Sequence, residues 1–245
     1  MSGAVKVGMV AALEREIRLL VKDWRRVERE YDGRRFKFFE NGQAVLVCGG
    51  IGADAARRAT EAAIELYQPD LVLSVGFAGA LEPALKVGEI FSPSRVVDVR
   101  DGSTVETSAG RGTLVSVAAV AGVEQKAKLA EYYGAQAVDM EAAAVARGAL
   151  ARGVRFITVK AISDESTFVM PSMDRFVDHD GQFHETAFAA SVVAQPWLWL
   201  KVFRLARNSA TAARALCAEL ERYINEPKKA EVSRSELHPI SKAVN

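Results

Sequence analysis

Apolar runs alternate along the chain with segments whose apolar residues recur at helical spacing. Continuous or β-branched apolar runs indicate buried strands at residues 5–10, 71–75, 113–120 and 154–162. Shorter apolar runs indicate strands at 88–93, 95–99 and 135–138. Helical spacing or Ala-rich sequence predicts helices at 11–23, 53–67, 124–133 and 141–151, and then to about residue 223. Residues 36–40 and 43–48 flank Asn41-Gly42, which predicts a β-hairpin.

This order of elements predicts one α/β domain with a largely parallel central sheet. A length of 245 residues suits a single domain, which we place at residues 1–225. The polar residues 226–245 form a predicted C-terminal tail, and residues 101–112 a loop. Ligands of such folds bind at the carboxyl ends of the strands, so residues that follow strands are the candidates for chemistry.

Composition narrows the function classes. With 32 Lys and Arg against 31 Asp and Glu, the chain lacks the basic excess of a nucleic-acid-binding protein. Cys48 and Cys217 are far apart and predict two buried thiols, and hence a reducing, cytoplasmic compartment. The N-terminus does not resemble a signal peptide, and the apolar stretch at 187–200 is too short to span a bilayer. Neither a metal-binding motif nor a dinucleotide fingerprint occurs, so we expect no metal and no cofactor.

Acidic residues follow three of the predicted strands: Glu14 and Glu16, then Asp139 and Glu141, then Asp164. A single acid at such a place usually only offsets a helix dipole. Three sets at one sheet edge can converge on one crevice and suit N-glycoside cleavage. A carboxylate stabilises the oxocarbenium-like transition state, a second acid protonates the departing base, and a third group activates the nucleophile.

Residues 76–79 form a predicted glycine-spaced loop after the strand at 71–75. Its backbone amides could bind an anion or a hydroxyl group, although such a loop is as often only a turn.

Four segments carry a more specific signal. They are VGMVAALERE at 7–16, SVGFAGAL at 74–81, AVDMEAAAVA at 137–146 and KAISD at 160–164. In this order they resemble motifs of the nucleoside phosphorylase/nucleosidase superfamily, and the first is similar to the start of methylthioadenosine/adenosylhomocysteine nucleosidases. The resemblance implies a three-layer α/β/α fold with a mixed, largely parallel sheet, a purine nucleoside substrate and a homo-oligomer.

The resemblance also implies roles for individual residues. Asp164 protonates N7 of an adenine-type base, and Glu141 holds the ribose 2′-hydroxyl and stabilises the oxocarbenium ion, with Met140 under the sugar. Glu16 helps to activate water, and Glu14 is its rival if the register of the motif is off.

Further substrate contacts are expected at Asp139, Ser163, Gly76, Phe77 and Ala78. Backbone groups near Val120 contact the base, and Phe168 is a candidate for stacking on it.

Two departures from the superfamily pattern bear on the nucleophile. Ser74 and Phe77 stand where the phosphorylases carry an Arg and a Ser that hold phosphate. Hydrolysis is thereby favoured, and phosphate stays the alternative co-substrate.

Residues 170–181 and 195–209 resemble the hopanoid-associated phosphorylases, which implies an adenosylhopane-like substrate. The helix around Trp197 places large apolar residues beside Lys201, Arg204 and Arg207. That pattern suits transient contact with a membrane surface, and equally a packed helix or a dimer face. A methylthioadenosine/adenosylhomocysteine nucleosidase and a non-catalytic nucleoside-binding protein are the alternative functions.

Overall fold

The computed structural model describes residues 6–107, 110–170, 176, 178, 181–193 and 195–225. The strands are β1 (Val7–Ala11), β2 (Arg25–Tyr31), β3 (Arg34–Asn41), β4 (Ala44–Cys48), β5 (Leu71–Ala80), β6 (Ile90–Phe91), β7 (Arg95–Asp98), β8 (Thr104–Glu106), β9 (Thr113–Ser116), β10 (Ala137–Asp139) and β11 (Arg155–Asp164). The α-helices are α1 (Glu14–Val21), α2 (Ala53–Tyr67), α3 (Val123–Tyr133), α4 (Ala142–Leu150), α5 (Glu185–Val193) and α6 (Trp199–Asn225), with a 3₁₀ turn at Pro196–Leu198.

The eleven strands within the described residues belong to one mixed sheet. β1 lies between β4 and β5 and is parallel to both, and β5 is also parallel to β11. β10 pairs antiparallel with β5 but parallel with β9, which continues in parallel to β7. β2, β3 and β4 form antiparallel hairpins at one edge, as Asn41-Gly42 predicts for the last pair.

Helices cover both faces of this sheet, which confirms the predicted three-layer α/β/α fold. On one face α2 and α4 present alanines to Val10, Val72 and the hairpin strands. The absence of a side chain at Gly148 lets these helices pack closely. A Cβ at that position would lie only 3.0 Å from Cγ2 of Thr60. On the other face α1 and α6 contribute Ile17 and Leu216 to a second apolar cluster. The buried strands read as continuous apolar runs because both of their faces are covered.

The structure corrects several predicted elements. β2 was not predicted, because its side chains are mostly charged and exposed and it is held by backbone pairing with β3. β5 continues to Ala80, so residues 76–79 are strand rather than loop, paired with β11 along most of their length. β8 lies inside the predicted loop at 101–112. Trp197 lies in the 3₁₀ turn, and α6 begins only at Trp199.

Further expectations concern the cysteines and the C-terminal part. Both cysteines are free thiols, as predicted, but only Cys217 is buried and Cys48 is partly exposed. No helix in the described ranges is long and apolar enough to cross a membrane. The predicted tail at 226–245 and much of the 170–181 segment lie outside the described residues.

Candidate active site

A cavity of about 390 Å³ opens where β1, β5, β10 and β11 end. Its walls come from the last residues of β5, β10 and β11 and from the segments that follow β1, β4, β9 and β10. This position is expected for a largely parallel sheet. The acids Glu16, Asp139, Glu141 and Asp164 all line it, so the structure brings all three predicted sets together. Glu14 points elsewhere, since its carboxylate pairs with Lys37 at 2.9 Å. Glu16 is therefore the acid of α1 that faces the cavity.

One part of the cavity is formed around Asp164. Its Oδ1 accepts a hydrogen bond from the Ser163 hydroxyl at 2.7 Å, and its Oδ2 forms a short contact with the ammonium of Lys126. Both partners of this ion pair are buried. Gly79 makes room for it, because a Cβ at that position would lie 2.9 Å from Oδ2 of Asp164 and 3.3 Å from Nζ of Lys126.

A second part is a cluster of three carboxylates around the ammonium of Lys160. Nζ of Lys160 lies 2.8 Å from Oδ2 of Asp139, and the side chain is buried in the middle of β11. Burial alone would lower the pKa of Lys160, but the carboxylates of Asp139, Glu141 and Glu16 outweigh it and raise that pKa. Lys160 therefore stays charged and partly neutralises the cluster.

Asp139 is occupied by protein partners. Besides Lys160, it accepts hydrogen bonds from the Ser116 hydroxyl at 2.5 Å and from the backbone N–H of Ala142 at 2.9 Å. The last contact satisfies an amide of the first turn of α4. Asp139 thus orients the start of α4, next to which Glu141 stands.

The protein environment raises the pKa values of both Glu141 and Glu16. Burial, together with the nearby charge of Asp139, raises the pKa of Glu141 to about 7, although Lys160 and the Gly52 amide oppose the shift. The Gly52 N–H donates to Oε1 of Glu141 at 2.8 Å. Burial also raises the pKa of Glu16, against the opposing charges of Lys160 and Arg15. Carboxylates of this kind accept protons more readily near neutral pH than exposed ones do.

Gly76 lies behind Glu16 and has a φ of 145°, which side-chain-bearing residues rarely adopt. A Cβ there would lie 2.8 Å from Oε2 of Glu16. Because Gly76 has no side chain, the Glu16 carboxylate can lie directly against β5.

The other residues predicted to contact substrate divide into two groups. Met140, Phe77, Ala78, Val120 and Ser163 line the cavity. Gly76 is not part of the lining, and neither is Phe168.

Phe168 is buried and packs under the guanidinium of Arg204, whose carbon lies 5.3 Å from the ring centroid. Its ring is thereby engaged with α6, and this placement does not offer it to a base in the cavity.

Several lining residues were not predicted from the sequence as site residues: Lys126, Arg15, Met170 and Phe183. Lys160, behind them, was missed as well, although a lysine inside the continuous apolar run at 154–162 is a signal in itself. Phe183 carries the Arg15 guanidinium 5.0 Å above its ring and closes one side of the cavity.

The chain is similar in sequence to known nucleosidases. The chain is 26% identical over 200 residues to a 5′-methylthioadenosine/S-adenosylhomocysteine nucleosidase of an Exiguobacterium species, covering 66% of this chain and 86% of the relative. A Staphylococcus aureus enzyme of the same name is 26% identical over 196 residues, covering 64% and 86%.

Solved structures show the same fold. A Neisseria meningitidis 5′-methylthioadenosine/S-adenosylhomocysteine nucleosidase in complex with methylthio-immucillin-A superposes with a TM-score of 0.66, at 20% identity and covering 89% of this chain and 98% of that one. Futalosine hydrolase of Helicobacter pylori superposes with a TM-score of 0.64, at 20% identity and the same coverage. The sequence profile described as the phosphorylase superfamily matches residues 6–121 and 107–192, and the chain therefore belongs to the phosphorylase superfamily.

Proposed function

We propose that this enzyme hydrolyses the N-glycosidic bond of a purine nucleoside. The observation that carries the proposal is the convergence of Glu16, Glu141 and Asp164 on one cavity of nucleoside size. The named relatives in this superfamily are nucleosidases and support the same reaction class.

The sheet separates the acid from the base. Glu16 stands beside Gly76 and Asp164 beside Gly79, three residues further along β5. At about 3.3 Å per residue, this puts the two groups roughly 10 Å apart along the strand. A purine riboside can then place its base at Asp164 and its ribose between Glu141 and Glu16.

Each carboxylate has a task that fits its surroundings. Asp164 delivers the proton to N7 of the departing base, and Glu141 accepts the ribose 2′-hydroxyl and stabilises the positive charge on the sugar. Glu16, whose pKa is raised by burial, accepts a proton from the attacking water. The reaction as proposed needs no metal and no cofactor.

Water is favoured over phosphate because the ribose side of the cavity holds more carboxylates than cations. Three carboxylates, those of Glu16, Asp139 and Glu141, face two cations there, Lys160 and Arg15. Lys160 is already paired with Asp139. A phosphate dianion beside this cluster would meet like charges. Ser74, in the position where the phosphorylases keep an Arg, is fully buried in β5.

The first experiment measures release of the free base from purine nucleosides, each with and without phosphate. The panel comprises adenosine, inosine, methylthioadenosine, adenosylhomocysteine and a 5′-alkyl adenosine. We expect phosphate-independent release of an adenine-type base and ribose, and Asp164→Asn is expected to abolish it while keeping the fold. A strict phosphate requirement would identify a phosphorylase instead. A folded wild type that binds nucleosides but releases no base would show that the protein is a non-catalytic nucleoside-binding protein.

The 5′ substituent is the finer part of the proposal. Arg204, in the second turn of α6, pairs with Glu165, which directly follows Asp164. This part of α6 therefore lies at the rim of the cavity. Just before and within it, Trp197, Leu200 and Phe203 are about 70–80% exposed. An apolar surface next to the cavity favours a nucleoside with a large apolar 5′ group, such as the adenosylhopane-like substrate.

The same surface supports transient membrane contact, because exposed Lys201, Arg204 and Arg207 lie among the apolar residues. Flotation with vesicles that contain anionic phospholipid tests this for wild type and for Trp197→Ala/Leu200→Ala. Tyr132→Ala is the matched control, since Tyr132 is 81% exposed on α3. Loss of flotation in the double variant alone is the expected result.

The predicted homo-oligomer is measured on the same proteins by sedimentation. A double variant that becomes monomeric, with no vesicle binding by wild type, would identify this surface as a subunit interface instead.

A further inference from the structure

Lys126 is a buried lysine that the reaction outlined above does not use. It lies in the first turns of α3, is 3% exposed, and reaches the cavity beside Asp164. Long charged side chains are rarely buried this far unless they are paired. Its ammonium is paired with Asp164 and also donates to the carbonyl oxygen of Glu165 at 2.9 Å.

These two contacts use two of the three N–H groups of the ammonium. Within the described part of the chain no third acceptor is recorded for Lys126, and the side chain lines the cavity. The carboxylate oxygens of Asp164 are also engaged, one by Ser163 and the other by Lys126. Asp164 and Lys126 thus hold each other in place, and the ammonium of Lys126 still has an N–H group that can face the substrate.

The pairing raises a chemical question about the proposed acid. A carboxylate that forms an ion pair with an ammonium carries no proton, yet the departing purine must receive one. The protons that the pair can give up are those of the Lys126 ammonium. A purine that leaves as an anion becomes basic enough to draw a proton from an ammonium group only as its glycosidic bond breaks.

We propose that Lys126 is the proton source for the leaving group and passes its proton through Asp164 to N7 of the purine. The inference rests on the proposed hydrolysis. The C1′–N9 bond breaks and its electron pair stays on the purine, N7 takes a proton from Asp164, and Asp164 takes one from the Lys126 ammonium. Water forms the new C1′–O bond and gives a proton to Glu16. After the products leave, Glu16 loses its proton to solvent and Lys126 regains one, so the sum is nucleoside plus water to purine plus ribose.

Lys126→Met tests the proposal, because it keeps most of the length of the side chain and removes the ammonium group. Asp164 must then obtain its own proton from solvent. We expect the rate of base release at pH 8.5 to fall by roughly 100-fold or more and to recover toward wild type as the pH is lowered to about 5.5. Lys126→Arg keeps the charge, but a guanidinium does not release its proton. We therefore expect it to lose turnover at every pH.

The matched control is Lys128→Met, on an exposed position of the same helix. A second control is the substrate: 4-nitrophenyl riboside has a leaving group that departs without protonation, so its hydrolysis should be unchanged in Lys126→Met. If Lys126→Met unfolds, Lys126→Gln serves in its place, with circular dichroism as the check.

The outcomes separate the two proposals. A Lys126→Met enzyme with the wild-type rate at pH 8.5 overturns the proton-source role and leaves hydrolysis intact. Equal losses on both substrates at all pH values overturn it as well, since they indicate a structural role. A wild type that cleaves the nitrophenyl riboside but no purine nucleoside overturns the proposed function itself.

Discussion

Replacing Glu141 by Gln separates the contribution of this carboxylate to catalysis from its effect on the free energy of unfolding. The Gln side chain keeps the size of Glu141 and an oxygen that can accept the Gly52 N–H bond, which is 2.8 Å long in the wild type. It removes a negative charge from a site that already holds Asp139 and Glu16. Activity and stability should therefore change in opposite directions.

The magnitude follows from the pKa of Glu141, which burial and Asp139 raise from 4.5 to about 7. The folded state holds this proton more tightly than the unfolded chain does. The stabilising contribution is therefore fully present below about pH 4.5 and is lost as the pH rises through about 7. The shift corresponds to about 3 kcal/mol, an upper limit because part of the side chain faces the cavity. At pH 8 the Gln variant should be more stable by up to this amount, or by roughly 10 °C in Tm.

The assay is thermal and urea unfolding of both proteins between pH 5 and pH 8.5, with kcat/KM measured at the same points. If Glu141 binds the ribose as proposed, loss of this charged hydrogen-bond acceptor should lower kcat/KM at pH 8 by roughly 10- to 100-fold. Both differences should shrink toward pH 5, where the wild-type carboxyl is protonated. A variant that is less stable at pH 8, or whose stability gain does not depend on pH, would refute the reasoning.

Three further predictions concern groups around the cavity. Gly79→Ala places a Cβ 2.9 Å from Oδ2 of Asp164 and should lower kcat roughly 100-fold, while Gly122→Ala, with open space around its Cβ, should keep the wild-type rate. Lys160→Met leaves three carboxylates without their shared cation and should cost about 3–5 kcal/mol in urea unfolding at pH 8. The exposed Lys22→Met should change stability little, and equal effects of the two lysine substitutions would contradict the role of burial. Phe183→Ala removes an aromatic wall of the cavity and should raise KM roughly tenfold with little change in kcat, and an unchanged KM would show that Phe183 does not contact substrate.

The fold was predictable where burial leaves a pattern in the sequence. Strands covered on both faces, such as β1, β5 and β11, are continuous apolar runs, and the alternating helices fix the fold class. β2 leaves no such pattern, because its exposed and mostly charged side chains pack against little and its backbone alone pairs with β3.

The site was predictable as far as its residues follow strands. Glu141 and Asp164 stand at the ends of β10 and β11, where the motif and the fold rule both place them. Lys126 lies in α3, whose many polar residues suggest a solvent-exposed helix. Its burial depends on how α3 packs over Asp164. Phe168 shows the reverse case: an aromatic close to Asp164 in sequence is held by Arg204 on α6. Such long-range contacts leave no local trace in the sequence.

The passage of β5 beneath both Glu16 and Asp164 has a consequence for the robustness of the enzyme. The distance between Glu16 and Asp164 is set by the strand segment from Gly76 to Gly79, because each acid lies beside one of these glycines. This segment is paired with β11 on one side. Substitutions that loosen the helices can lower stability without changing this separation. As long as the central strands stay paired, the native molecules that remain should turn over at the full rate. Activity and sheet structure should therefore disappear together in a urea titration.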